Sequence, residues 1–114
     1  MASVTLKQLR YFVALARTGH FGRAAEQCSV TQPALSMQVR ELETALGTTL
    51  VERLPQGARL TPAGAAVAER AGEILRAVRG LSELADARSE VLTGRLALGV
   101  IPTVAPYLLP ALLS

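Results

Sequence analysis

Gln32, Ser36 and Arg40 stand four residues apart, a spacing that sets them on one face of a helix. Pro33 and Met37 occupy the positions beside them. An amide, a hydroxyl and a guanidinium in a row can read the edges of bases. Glutamine can bond adenine through two atoms, serine can bond a donor or an acceptor, and apolar atoms such as those of Met37 can touch a thymine methyl. Arg40 can reach a guanine or a phosphate. On an isolated helix the same face is merely a solvated polar stripe, so its meaning depends on its surroundings. Covalent and metal chemistry have far less to work with. The chain holds one histidine, His20, and one cysteine, Cys28, and no carboxylate pair spaced to share a pocket. Neither a nucleophile with its base nor a metal site can be assembled from these. We therefore expect no enzyme, no metal and no cofactor, and read His20 and Cys28 as packing residues.

The elements that must hold the polar face are also legible. Thr31, followed by Gln32 and Pro33, is a helix start: an N-cap hydroxyl, then a proline whose missing N–H has no helical acceptor to lose. Leu35, Val39, Leu42 and Leu46 recur at helical spacing as a stripe for the core, and Gly47 stops the helix. Upstream, Thr5 and Gln8 have capping-box spacing. Leu6, Leu9, Phe12, Val13 and Ala16 then share a face, and Gly19 ends this first helix. A short second helix is expected from Gly22 to Cys28, with Ala24 and Ala25 allowing close approach and a turn at Ser29 and Val30. Two helices joined by a tight turn, the second with a polar N-terminal face, make a helix-turn-helix. Thr49 to Arg53 and Ala58 to Thr61 read as short strands around Leu54-Pro55-Gln56-Gly57, a hairpin that adds a wing. Arg53 and Arg59 on that wing can hold a nucleic-acid backbone or minor groove.

Thr61-Pro62 repeats the start signal, and a helix of roughly 27 residues is expected to follow. Val67, Ala71, Ile74, Val78, Leu81 and Ala85 alternate spacings of four and three, the seam of a helix that pairs with another helix. Gly72 and Gly80 within it each cost about 1 kcal/mol relative to alanine, so packing must hold it. After Gly94, Leu96, Leu98 and Val100 alternate with small or polar residues as in a strand, and Pro102 to Pro106 read as a loop. The expected fold class is thus mainly α. A winged helix-turn-helix domain covers 1–60, a linker and dimerisation helix covers 61–92, and the first strand of a truncated α/β effector domain falls in 93–114.

Charge agrees with this division. Residues 1–60 carry Lys7, Arg10, Arg17, Arg23, Arg40, Arg53 and Arg59 against Glu26, Glu41, Glu43 and Glu52, and the remainder is balanced. The whole net charge of +3 therefore lies where a phosphate-binding surface needs it. With 50% hydrophobic and 18% charged residues, the chain reads as an ordered globular protein and not a disordered tail. A single cysteine excludes an internal disulfide and suits a reducing cytoplasm. MASVTLKQLR lacks the apolar core and cleavage site of a signal peptide. Leu96 to Leu113 is uncharged and nearly long enough to span a membrane, yet Pro102, Pro106 and Pro110 break it as a helix, so no membrane partner is expected.

The run Ala24-Ala25-Glu26-Gln27-Cys28-Ser29-Val30-Thr31-Gln32-Pro33-Ala34-Leu35-Ser36, with Val39, Leu42-Glu43 and Leu46-Gly47, closely resembles the LysR-type transcriptional regulators. Leu50-Val51-Glu52-Arg53 and Leu60-Thr61-Pro62-Ala63-Gly64 extend the resemblance, which covers the whole chain. It implies a winged helix-turn-helix that binds double-stranded DNA, a linker helix that forms a homodimer, and a C-terminal effector domain of two α/β lobes. For the full-length protein it implies a tetramer, contact with RNA polymerase, and a cytoplasmic, nucleoid-associated location. Within the family, the segment from Gly94 to Pro110, together with Tyr11 to Ala16 and His20-Phe21, is similar to the hydrogen-peroxide-sensing OxyR branch. That similarity implies an activator of the oxidative stress response, puts Thr103 at the edge of the peroxide pocket, and places the redox cysteines beyond Ser114. The family resemblance makes Gln32, Pro33, Ser36 and Met37 the groove-facing residues and Arg53 a wing contact; Thr31 and Arg40 join the expected DNA contacts from their places on the same helix. Two positions depart from the family: many relatives have arginine where Met37 stands, and Gln56 replaces a wing residue that is often basic.

Two other classes compete. A helical dimerisation or protein-interaction module would leave the basic face solvated, and a MarR-type winged-helix regulator would keep its effector pocket inside the helical domain. The strand pattern after Gly94 speaks against the second, and salt-sensitive footprinting separates the first.

Overall fold

A computed structural model describes the backbone of residues 3–97 and the side chains of residues 3–88. The elements are α1 (Leu6–Thr18), α2 (Phe21–Gln27), α3 (Gln32–Leu46), β1 (Val51–Leu54), β2 (Gly57–Leu60) and α4 (Pro62–Ala97). One compact unit ends at Ala77 and a second begins at Val78.

Local chemistry starts each helix. The Thr5 hydroxyl accepts the Gln8 N–H at 3.1 Å, and Gln8 Oε1 accepts the Thr5 N–H at 3.1 Å, the reciprocal capping box its spacing predicts. The exchange also gives a partner to Gln8, which is only 5% exposed. At α2 the cap is His20, whose Nδ1 accepts from the N–H groups of Gly22 and Arg23 at 3.1 and 3.3 Å. The helix therefore begins at Phe21, one residue earlier than expected, and His20 is an exposed cap instead of a packing residue. Imidazole lies outside the usual N-cap set of hydroxyls, amides and carboxylates, which is why the signal was missed.

The turn into α3 is a Schellman arrangement. Val30 N–H donates to the Ala25 carbonyl at 3.0 Å and Ser29 N–H to that of Glu26 at 3.1 Å, with Ser29 left-handed at φ 58°. A non-glycine residue there costs about 1–2 kcal/mol, offset by carbonyls that would otherwise lack partners.

Phe12, Ala24, Leu35, Val39, Leu42 and Leu50 have no exposed surface and centre the core. Each large side chain among them contributes about 1.5–3 kcal/mol by leaving water. α1 buries more than one face, since Leu9, Tyr11, Val13, Ala14 and Leu15 are buried as well. Leu6 and Leu46, expected in the core stripes, are 48% and 42% exposed. They are the first residue of α1 and the last of α3, beyond the reach of the packed interior.

β1 and β2 pair antiparallel, with Val51 opposite Leu60 and Leu54 opposite Gly57. The turn is thus only Pro55-Gln56, shorter than expected. Ala58 N–H donates to the Gly19 carbonyl at 3.0 Å, and a Cβ at Gly57 would lie 2.5 Å from that oxygen. Glycine at 57 is what lets the wing dock on the end of α1.

α4 opens at the expected Thr61-Pro62 signal. It runs for 36 residues to Ala97, past the expected end at 92, so Leu96 is helical and does not begin a strand. A lone glycine at 94 costs about 1 kcal/mol, too little to stop a helix continued by Arg95, Leu96 and Ala97. Leu98, Val100, the proline loop and Thr103 lie outside the described residues. Of the expected pairing seam, Ala71 is 1% exposed and Val67 packs half-buried against the core of the first unit, so this chain itself occupies them. Ile74 is 40% exposed; in the second unit Val78 and Leu81 are 37% and 68% exposed, and Ala85 is exposed. Among the described residues no helix is long and apolar enough to cross a membrane.

Candidate nucleic-acid interface

Because the core holds Leu35, Val39 and Leu42 at 0% exposure, the opposite face of α3 is fixed outward. It carries Gln32, Pro33, Met37 and Arg40 in the open and Ser36 half-buried, bringing together the residues their spacing predicts. Met37 is 53% exposed, so its apolar atoms are open to a ligand. Thr31, expected among the contacts, uses one lone pair of its hydroxyl to accept the Ala34 N–H at 3.3 Å, leaving its O–H and a second lone pair to offer a ligand.

Each of the two wing arginines has a partner within the chain. Arg53 Nη1 donates to Ser36 Oγ at 3.0 Å, and its guanidinium lies 4.5 Å from the Phe21 ring centroid. Burial, and after it the charge of Arg40, lowers the Arg53 pKa, while Glu43 opposes both. Arg59 donates through Nε and Nη2 to Glu52 Oε1 at 3.0 and 2.7 Å, across the directly opposed strand pair. These side chains are 67% and 51% exposed, so the pair is worth about 0–1 kcal/mol and a phosphate can compete for Arg59.

Two positioning residues, Glu43 and Phe21, escaped the sequence reading. Glu43 Oε2 accepts the N–H groups of Leu50 and Val51 at 2.8 and 3.2 Å, tying the recognition helix to the root of the wing. Phe21, 8% exposed, is the platform under Arg53. His20 and Phe21, with Gln32 from α3 and Leu54, Pro55, Gln56 and Gly57 from the wing, line a shallow cleft beside the polar face. Glu43 stands out only as a neighbour of core Leu42 within the run that carries the family resemblance, which reveals no partner seven residues away. Cys28 is half-buried; burial raises its thiol pKa, with Arg10 opposing, so it holds its proton more firmly than a free thiol and is a poor nucleophile.

This arrangement, a rigid helix with a polar outer face beside a cation-bearing hairpin, suits groove recognition. Residues 6–65 match the family described as bacterial regulatory helix-turn-helix protein, lysR family. The chain belongs to the LysR family. This sets aside the MarR-type alternative and establishes the winged helix-turn-helix followed by a long helix. The LysR-family chain is 46% identical over 110 residues to a hydrogen peroxide-inducible genes activator of Pectobacterium carotovorum subsp. carotovorum, covering 96% of this chain and 36% of the relative. It is similar to the solved full-length OxyR C199D of Pseudomonas aeruginosa, with 47% identity and a TM-score of 0.72, covering 75% of this chain and 29% of that one. It is also similar to the CbnR DNA-binding domain solved in complex with DNA, with 36% identity and a TM-score of 0.71, covering 75% of this chain and 99% of that one. The chain thus spans about a third of the length of the curated relatives it matches, 36% for the one named here.

Proposed function

We propose that this LysR-family chain is the sequence-specific DNA-binding end of a transcription regulator and acts by seating α3 in the major groove. Gln32, Pro33, Ser36 and Met37 occupy its first two turns and face the bases, Arg40 reaches a guanine or phosphate, and Arg59 leaves Glu52 for the backbone. The observation that carries this is the polar outer face of α3, held rigid over Leu35, Val39 and Leu42. Similarity to a DNA-bound CbnR domain supports it.

Two copies pair along α4 through Ile74, Val78, Leu81 and Ala85, with Val67 and Ala71 supporting the seam from the core side. They thereby set two recognition helices on a pseudo-palindromic site. α4, Pro62–Ala97, acts as the linker, and the residues after it open an effector domain, with Thr103 at its pocket. The names of its relatives support a peroxide-responsive activator. We further propose, as the family reading, that the protein is cytoplasmic and nucleoid-bound, is tetrameric at full length, and regulates through RNA polymerase without catalysing a reaction.

Selection from random duplexes followed by titration tests the reading. Gln32→Ala is expected to cost about 1–3 kcal/mol on the selected site and much less on random DNA. Equal losses on both would remove Gln32 from base readout.

A further inference from the structure

We infer that Arg53 makes Ser36 a one-way reader: it occupies one of the two lone pairs of the serine hydroxyl and sets a positive charge beside the other, so the O–H is the group presented to DNA and Ser36 selects a base acceptor. This deepens the DNA-binding reading above and rests on it. A free serine hydroxyl has one donor and two lone pairs and so can bond any base edge. Arginine has only donors. In the 3.0 Å contact Ser36 Oγ must therefore be the acceptor, and its hydrogen is turned away from the guanidinium. The adjacent positive charge then repels a base amine approaching the same oxygen and favours a carbonyl or ring nitrogen.

The arginine is held for this task from three sides. Its guanidinium stacks over the buried Phe21 ring at 4.5 Å. Its strand is tied to α3 by Glu43 through the N–H groups of Leu50 and Val51. Its backbone pairs with Ala58, whose N–H is anchored on the Gly19 carbonyl. α2, α3 and the wing thus meet on one side chain. In the major groove, guanine offers O6 and N7, adenine N7 and thymine O4 as acceptors, whereas cytosine offers only its N4 amine. Ser36 with Arg53 therefore excludes cytosine at the base it faces, and Arg53 sets specificity there without touching DNA.

Selection on the 114-residue chain, repeated with Ser36→Ala, identifies the base that Ser36 faces. The wild type is expected to bind a duplex carrying cytosine there about tenfold more weakly. Arg53→Met is expected to shrink that penalty to about twofold or less, leave other positions and the salt slope unchanged, and add nothing to Ser36→Ala in the double variant. Should Arg53→Met fail to fold by circular dichroism, Phe21→Leu, which removes the platform, is expected to relax the same base. Undiminished exclusion of cytosine in the folded variant overturns the inference. So does equal weakening on every duplex with a shallower salt slope, the mark of a phosphate contact. If the wild type enriches no sequence at all, the DNA-binding reading itself falls.

Discussion

α3 and α4 begin with the same chemical signal and put it to opposite uses. Each has a threonine N-cap followed by a proline in the first turn, yet α3 presents its first turns to solvent and α4 presses its first turn into the fold. The residues behind the cap make the difference. α3 continues with Gln32 and Ser36, polar side chains with something to offer a ligand. α4 continues with Ala63, Gly64 and Val67, small or apolar residues that let backbones approach. Gly64 is buried and lies so close to Leu50 that a Cβ would overlap the Leu50 carbonyl oxygen. A start signal says where a helix begins; its first-turn side chains say whether that end is for a partner or for the core.

The largest test of this contrast is Gly64→Val. The added side chain meets backbone, which cannot swing aside, so the variant is expected to lose about 3 kcal/mol or more of stability, read by urea denaturation. Loss of less than about 1 kcal/mol would mean that the start of α4 is no more packed than that of α3.

Legibility in the sequence follows the same line between local and distant causes. The capping box of Thr5 and Gln8, the starts at Thr31-Gln32-Pro33 and Thr61-Pro62, and the shared face of Gln32, Ser36 and Arg40 are set by residues in steps of four positions or fewer, and all could be read. The shared polar face alone could not say whether it reads DNA or is simply solvated. What escaped depends on partners distant in the chain. Arg53 reaches Ser36 seventeen residues back, Glu43 reaches the root of the wing, and Ala58 docks on Gly19. No periodicity encodes such pairs. Leu6 and Leu46 fit the stripe but not the packing, because periodicity fixes a direction around the helix axis and not a position along it. Ala71 fitted a pairing seam for the same reason, and lies instead in the core.

Thr61→Ala sharpens the contrast at smaller scale. Its hydroxyl both accepts the Gly64 N–H at 2.9 Å and donates to the Thr49 carbonyl at 2.7 Å, joining the cap of α4 to the chain entering the wing. Loss of a cap and of this second bond is expected to cost about 2 kcal/mol, measured as a lowered denaturation midpoint with an unchanged slope. A cost equal to that of Thr31→Ala would show that the second bond contributes nothing.

Thr31→Ala is expected to have the smallest effect on stability, and its value lies in where the effect appears. The Thr31 hydroxyl makes one exposed 3.3 Å cap bond, to Ala34 N–H, and water can replace it, so the loss should be about 0.5–1 kcal/mol. The turn it steadies carries Gln32 and Pro33, however, and a frayed first turn must be reordered each time it enters a groove. A weakening of DNA binding by about two- to fivefold is therefore expected alongside the stability loss, whereas Thr61→Ala, at the internal cap, should leave affinity unchanged so long as the chain is folded. Anisotropy titration of both variants well below their denaturation midpoints distinguishes the two ends. Equal affinities for Thr31→Ala and the wild type would mean that the exposed cap steadies a turn DNA does not use.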